Sequence, residues 1–304
     1  MVLTSFHESQ KEQVLALSDA MFASTKLSRF EWQPCRQVES LDRQCTKFVF
    51  LDDTVKGYVA AYRLDDTHFR LNLIVDLNHL QQGIGSQLLT RIEQEVIGEQ
   101  GKYLQARAFE SMPASLRFAL DKGFTQVHTM RGMSLNRAYF QFDKWKELGE
   151  KLSASFVFTT LKEEVEADVD TIDKLAQLYE VARIDWPSPD PTWEPDSSLE
   201  NLRAPFVGIK YPEHFSIVKA GNEYIGFTSA RNRGTGTAVH PDYRNLGLAT
   251  YLKALDLNRC IRDGKQYFES ATANPAMQRV NEKLGYRLNG LAEVRFVKAM
   301  TSPV

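Results

Sequence analysis

Thr237-Ala-Val-His-Pro-Asp-Tyr-Arg-Asn-Leu-Gly-Leu-Ala-Thr-Tyr-Leu-Lys253 decides how the rest of this 304-residue chain is read. Thr235 to His240 suits a strand, and the apolar spacing from Leu246 to Ile261 is helical. A strand that feeds a helix through a glycine turn makes an anion site. The first-turn N–H groups of Gly247, Leu248, Ala249 and Thr250 have no partner inside the helix, and the helix dipole places about half a positive charge there, so a pyrophosphate fits. Gly247 lets a phosphate approach without a Cβ in the way. Arg244, just ahead of the turn, can add a charge-assisted contact of about 1.5 to 3 kcal/mol.

Outward from this loop the pattern continues with a strand at Tyr267 to Thr272, a helix at Pro275 to Leu284 and a final strand at Tyr286 to Ala299. Upstream lie a strand at Phe156 to Leu161, a helix at Asp170 to Ala182, and His214 to Lys219 paired with Tyr224 to Ser229 across a Gly221-Asn222 hairpin signal. The first half has the same order. A short strand near Val2 and a helix from Lys11 to Phe22 precede strands at Lys47 to Leu51, Gly57 to Tyr62 and Phe69 to Val75. A helix from Gly83, a strand at Tyr103 to Phe109, a helix at Pro113 to Lys122 and a strand from Phe124 follow. The glycine loops lie 164 residues apart (247 minus 83), and the glycines that end the later helices lie 162 apart (285 minus 123). A near-constant offset is what an internal duplication leaves. The expected architecture is α+β: two tandem domains, 1–150 and 155–304, each a mostly antiparallel twisted sheet flanked by helices. The charged segment 143–155 reads as a helical connector between them.

The segment Arg244-Asn245-Leu246-Gly247-Leu248-Ala249 resembles the cofactor loop of the GNAT acetyltransferase superfamily, Arg/Gln-x-x-Gly-x-Gly/Ala at a strand-to-helix junction. Asn274-Pro-Ala-Met277-Gln-Arg-Val-Asn281-Glu-Lys-Leu-Gly285-Tyr286 is similar to that family's later helix. The same residues also make an ordinary capped helix, with Asn274 at the N-cap, Pro275 at the first position and Gly285 at the exit. The resemblance implies acetyl-CoA as cosubstrate. Its pyrophosphate would lie on the loop amides, its pantetheine arm along Thr237, Ala238 and Val239, and Asn274, Met277 and Asn281 would complete the site. The first-half loop, Leu80-Gln81-Gln82-Gly83-Ile84-Gly85-Ser86, keeps its glycines but has leucine in place of the basic residue. Met112 stands where the second half has Asn274, and Ala119 where it has Asn281. Gln82, Gly83 and Gly85 are its candidate contacts, and whether this half holds the cofactor is left open. The tandem arrangement resembles that of mycothiol synthase and related two-domain acyltransferases, with the second half catalytic.

In the mechanism this resemblance implies, an amine attacks the thioester directly, and a backbone amide near Val239 stabilises the oxyanion. The candidate base is Glu269, which would face the opposite way from Ser270 on one strand. A water-relayed proton path and His240 are the alternatives. Many relatives have a tyrosine at the position of Asn281, and asparagine is no acid. Its expected role is to bind cofactor, orient water or pack the helix. Asp185, Trp186, Asp190, Trp193, Glu194 and Asp196, in a proline-rich stretch, offer either aromatic walls and negative charge for a cationic amine or a solvated connector with buried tryptophans.

With 37 basic and 39 acidic residues and a formal net charge of -2, no field favours nucleic acid. The N-terminus has no secretory pattern and no apolar run is long enough for a membrane span. Cys35, Cys45 and Cys260 form no CxxC pair, which suits a reducing compartment, and the histidines show no metal-ligand spacing. The expectation is a cytoplasmic enzyme without a metal, acting on a small-molecule amine, its oligomeric state open. A noncatalytic acyl-CoA-binding module and a protein or peptide acetyltransferase are the competing readings.

Overall fold

The structure, a computed structural model, describes residues 2–24, 38, 40–184, 186, 192, 197–231 and 236–300. The first half runs β1 (Val2–Ser5), α1 (Lys11–Ser24), β2 (Thr46–Leu51), β3 (Val55–Arg63), β4 (His68–Val75), α2 (Ile84–Gly98), β5 (Tyr103–Phe109), α3 (Pro113–Asp121) and β6 (Thr125–Asn136). The second runs α4 (Lys146–Ser153), β7 (Val157–Thr160), α5 (Leu161–Ala167), α6 (Thr171–Arg183), α7 (Leu199–Arg203), β8 (Ser216–Ala220), β9 (Glu223–Thr228), β10 (Thr237–Val239), α8 (Leu248–Arg262), β11 (Tyr267–Thr272), α9 (Pro275–Lys283) and β12 (Arg287–Ala299). The architecture is α+β, two tandem copies of one sheet-and-helix fold. The chain divides into two compact units, one of Met1–Arg131, Pro189–Trp193 and Asn289–Val304, the other of Gly132–Ser188 and Glu194–Leu288.

In the first unit β1, β2, β3 and β4 pair antiparallel in succession. Alternation sends Phe48, Phe50, Val59, Ala61, Phe69 and Leu71 to one face, where they meet Leu88, Leu89, Ile92 and Val96 of α2. Val49, Tyr58, Ala60 and Ile74 go to the other face, against Val14 of α1. The sheet is therefore buried on both sides, which explains the near-continuous apolar runs of β2 and β3. Between β4 and β5 the pairing is parallel and ends at Arg70 and Gln105. Beyond that point β4 continues to Val75 and β5 to Phe109 without a shared ladder, so the two strands splay.

On its other edge β5 takes an antiparallel partner from the far end of the chain. β12 runs alongside it from Glu293 opposite Phe109 to Ala299 opposite Tyr103. Val294 and Phe296 of β12 enter the core beneath α2, and Lys298 Nζ donates to Glu93 Oε1 at 2.6 Å.

In the second unit a four-stranded sheet has the order β10-β9-β8-β7, all antiparallel. Its faces pack on Leu175, Leu178 and Ala182 of α6 and on Leu248 and Leu252 of α8. The strand expected to reach Leu161 stops at Thr160, because Thr160 and Glu163 form a capping box that starts α5. The stretch 143–155 folds as a 3-10 turn followed by α4, whose Gly149 and Leu152 are buried. Gly149 is needed there, since a Cβ would lie 2.2 Å from the Tyr251 hydroxyl of α8. No helix among the described residues is long and apolar enough to cross a membrane.

The placement of β12 predicts that Phe296→Ala, a change in the last strand, destabilises the first unit by about 3 to 5 kcal/mol through the cavity it leaves. Chemical denaturation followed by the tryptophan-independent amide signal measures this, and an unchanged midpoint would contradict the pairing of β12 with β5.

Candidate functional site

Both glycine loops adopt the same backbone. A 3-10 turn, Leu77–His79 in one and Pro241–Tyr243 in the other, leads into a residue with positive φ, Gln81 at 61° or Asn245 at 64°. Two residues later Gly83 and Gly247 take φ of 81° and 93°, and each caps a helix of 15 residues. Asparagine tolerates the left-handed region through local hydrogen bonding, and glycine has no Cβ to clash. Gly247 is required for space as well. A Cβ there would lie 3.1 Å from Leu148 Cδ1, so α4 buttresses the turn from beneath.

The first main-chain bond of α8 runs from the Tyr251 N–H to the Gly247 carbonyl at 3.0 Å. Gly247 supplies no side-chain cap, so the amides of Gly247, Leu248, Ala249 and Thr250 are left for an external acceptor. Leu248 and Thr250 turn their side chains into the protein, Ala249 is half-buried and Leu246 is exposed. Only the backbone of this stretch is therefore presented to an anion. Arg244 is half-buried, and its Nε donates to the Val239 carbonyl at 3.2 Å, which ties the loop to β10.

Within β10 the hydrogen-bond alternation sorts the three residues. The His240 N–H reaches Ile225 O at 2.8 Å, so the pair Ala238 and Phe227, one step back by two, is also a bonded pair. Thr237 and Val239 then direct their N–H and C=O groups away from β9, toward the strand's open edge. The Arg244 contact with the Val239 carbonyl agrees with this. An extended ligand arm could pair with that edge as an added strand.

The later helix differs between the halves. Asn274 Oδ1 accepts from the N–H groups of Ala276 at 2.8 Å and Met277 at 3.3 Å, capping α9. Met112 caps α3 with no side-chain bond. Asn281 is fully buried, and its Nδ2 donates to Ser270 Oγ at 3.2 Å and lies 3.7 Å from Met133 Sδ, while its Oδ1 has no partner among the described residues. Of the roles open to it, this geometry favours packing α9 onto β11. Ser270 thus faces α9, and Glu269 is exposed on the opposite side of β11. His240 caps the 3-10 turn with Nδ1, 3.4 Å from the Asp242 N–H, a loop-stabilising position.

In the first half Gln82 precedes Gly83 as Leu246 precedes Gly247, and Leu80, in the place of Arg244, is exposed. A Cβ at Gly85 would meet the Phe118 ring at 3.4 Å, so an aromatic side chain of α3 lies against the first turn of α2. Trp186 is half-buried, packing edge to face on Tyr179 at 5.5 Å and against the core beside α6. Asp185, Asp190, Trp193, Glu194 and Asp196 lie outside the described residues.

The sequence profile described as the acetyltransferase (GNAT) family matches residues 11–124 and again 175–286. No curated protein matches the chain in sequence. Among solved structures, a tandem GNAT protein from the clavulanic acid biosynthesis pathway has a TM-score of 0.69 at 16% identity, covering 100% of this chain and 99% of its own. A GCN5-related N-acetyltransferase from Sphaerobacter thermophilus has a TM-score of 0.72 at 12% identity, covering 100% of this chain and 96% of its own. Similarity at these identities speaks to the fold, in tandem, over the full length.

Gly247→Ala should cost about 1 to 2 kcal/mol from the left-handed backbone, plus a further amount from crowding against Leu148. Adding Leu148→Ala should relieve the crowding part alone, a coupling that a double-mutant cycle in denaturant measures. Strict additivity would show that α4 does not support the turn.

Proposed function

We propose, because this chain belongs to the acetyltransferase (GNAT) family, that it transfers an acetyl group from acetyl-CoA to a primary amine of a small molecule, using the second half. The observation that carries the reading is the row of uncapped amides from Gly247 to Thr250 beside the open edge of β10. The donor set fits a diphosphate: backbone N–H groups at a helix N-terminus, with Arg244 adjacent and no carboxylate on the turn after Asp242.

In this reading Thr237 and Val239 orient the pantetheine arm, Asn245 and Gly247 hold the loop open to phosphate, and Asn274 and Met277 frame the far side. The Val239 N–H is the donor for the oxyanion that forms as nitrogen bonds to the thioester carbon. The carbon–sulfur bond then breaks, CoA leaves as the thiolate, and the amine proton passes to Glu269 directly or through water, from which solvent can return it to the sulfur. Asn281 holds α9 in place. The first half is read as the weaker cofactor site, since Leu80 brings no charge and the Phe118 ring lies against the turn.

A noncatalytic acyl-CoA-binding role has one observation in its favour: the buried Asn281 supplies no acid for the departing thiolate.

Thiol release from acetyl-CoA over a panel of small primary amines tests the proposal. Arg244→Ala should raise KM for acetyl-CoA roughly 10- to 150-fold, from a lost contact of about 1.5 to 3 kcal/mol, while Gln82→Ala leaves it within about twofold. Glu269→Gln should lower kcat by about 10²- to 10⁴-fold with little change in that KM. Tight acetyl-CoA binding with no turnover on any amine would favour the binding module, and turnover on peptides only would favour a protein acetyltransferase.

A further inference from the structure

Behind α8, away from the loop at its N-terminus, three chemically unlike side chains converge in the second unit. Asp256 and Cys260 are four apart on α8 and so share a face, and His214 ends the 3-10 turn Pro212–His214 that leads into β8. The exposures of His214, Asp256 and Cys260 are 1%, 0% and 0%, and one nitrogen, one carboxylate oxygen and the sulfur lie within 4.8 Å of one another.

The hydrogen bonds orient the imidazole. His214 Nε2 lies 2.7 Å from Asp263 Oδ2, and a carboxylate only accepts, so the proton sits on Nε2. Nδ1 then presents its lone pair, 3.2 Å from Cys260 Sγ. A histidine held through its far nitrogen by a carboxylate is the usual support of a metal ligand. Asp256 completes the set in an unusual way. Its Oδ2 accepts from the Ala230 N–H, but its Oδ1, fully buried, has no partner among the described residues. A hydrogen-bonded Cys260–His214 pair leaves that oxygen unexplained.

We propose that His214 Nδ1, Cys260 Sγ and the Asp256 carboxylate bind a divalent transition-metal ion, zinc by the softness of the donors. Imidazole, thiolate and carboxylate are its common ligands, and tetrahedral zinc separates a sulfur and a nitrogen ligand by roughly 3.5 Å, close to the spacing present. The fourth position falls to water. A dication with one thiolate and one carboxylate is neutral overall, which suits walls of Ala254, Leu257, Phe268 and Tyr286. Without it burial pushes the Cys260 thiol up to about 12 and the Asp256 carboxyl up to about 7.

The surrounding charges are Lys253, Arg259 and Lys265 near Asp256, and Arg231, whose Nη1 is 3.1 Å from His214 Nε2 and 3.8 Å from Asp263. Glu213 also approaches Nε2, at 3.8 Å. Arg231 offers the competing arrangement: were it the donor to Nε2, the proton would move to Nδ1 and the ligand would be lost. The site is independent of the acetyl-transfer reading. It would pin the turn before β8 to the C-terminal half of α8.

Cobalt(II) titration of the full chain, stripped of metal, provides the test, because a thiolate ligand gives cobalt a near-ultraviolet charge-transfer band. The expected result is one cobalt per chain with that band, retained in the Cys35→Ser, Cys45→Ser double variant, lost in Cys260→Ser, and displaced by zinc. Asp263→Asn, at a half-exposed position that the fold should tolerate, serves if Cys260→Ser does not fold. It should weaken cobalt affinity about 10- to 100-fold. No charge-transfer band at saturating cobalt, a band that survives Cys260→Ser, or an affinity unchanged by Asp263→Asn would overturn the proposal.

Discussion

The left-handed turn at Gly247 is where β10 becomes α8, and the second unit's capacity to hold an anion follows from it. With φ at 93° the chain reverses tightly enough that four consecutive amides at the head of α8 are aimed outward with no side chain in front of them. Leu148 of α4 closes the space a Cβ would occupy, so both backbone conformation and packing require glycine. Arg244 then fastens the same turn to the Val239 carbonyl, and the open edge of β10 is brought beside the amides rather than left to wander. The left-handed φ of Asn245 in the same turn, 64°, persists because neighbouring elements over-determine it.

The first unit contains the same turn and makes different use of it. Backbone angles at Gln81 and Gly83 match those at Asn245 and Gly247, and α2 has the length of α8. What differs is the chemistry around the amides. Leu80 contributes no charge, Phe118 lies against Gly85, and Met112 does not cap α3 as Asn274 caps α9. A duplicated backbone can therefore be kept for its packing while its binding groups change, since the turn also sets how α2 seats Leu88, Leu89 and Ile92 in the core.

Two segments take part in more than their place in the chain suggests. The helix between the halves buries Gly149 and Leu152 and supports the loop nearly 100 residues downstream. β12, the last strand, supplies Val294 and Phe296 to a core otherwise built from the first 124 residues. Stability of the first core and completeness of the chain's C-terminal end are coupled for that reason.

Local rules in the sequence account for most of the elements and their order, α5 and α7 excepted: period-two alternation gives the strands, helical spacing gives α2 and α8, and Asn274, Pro275 and Gly285 bound α9. The phosphate-loop candidate was readable too, because amides at a helix N-terminus need no distant partner to be unsatisfied. The start of α5 is marked locally as well, by Thr160 with Glu163. Long-range placement was another matter. That β12 pairs with β5, that Asn281 is sealed against Ser270 while Glu269 is exposed, and that His214 meets Asp256 and Cys260 across more than 40 residues are decided by which faces pack together. Periodicity states which side of an element is apolar, but only the packed core determines what that side touches.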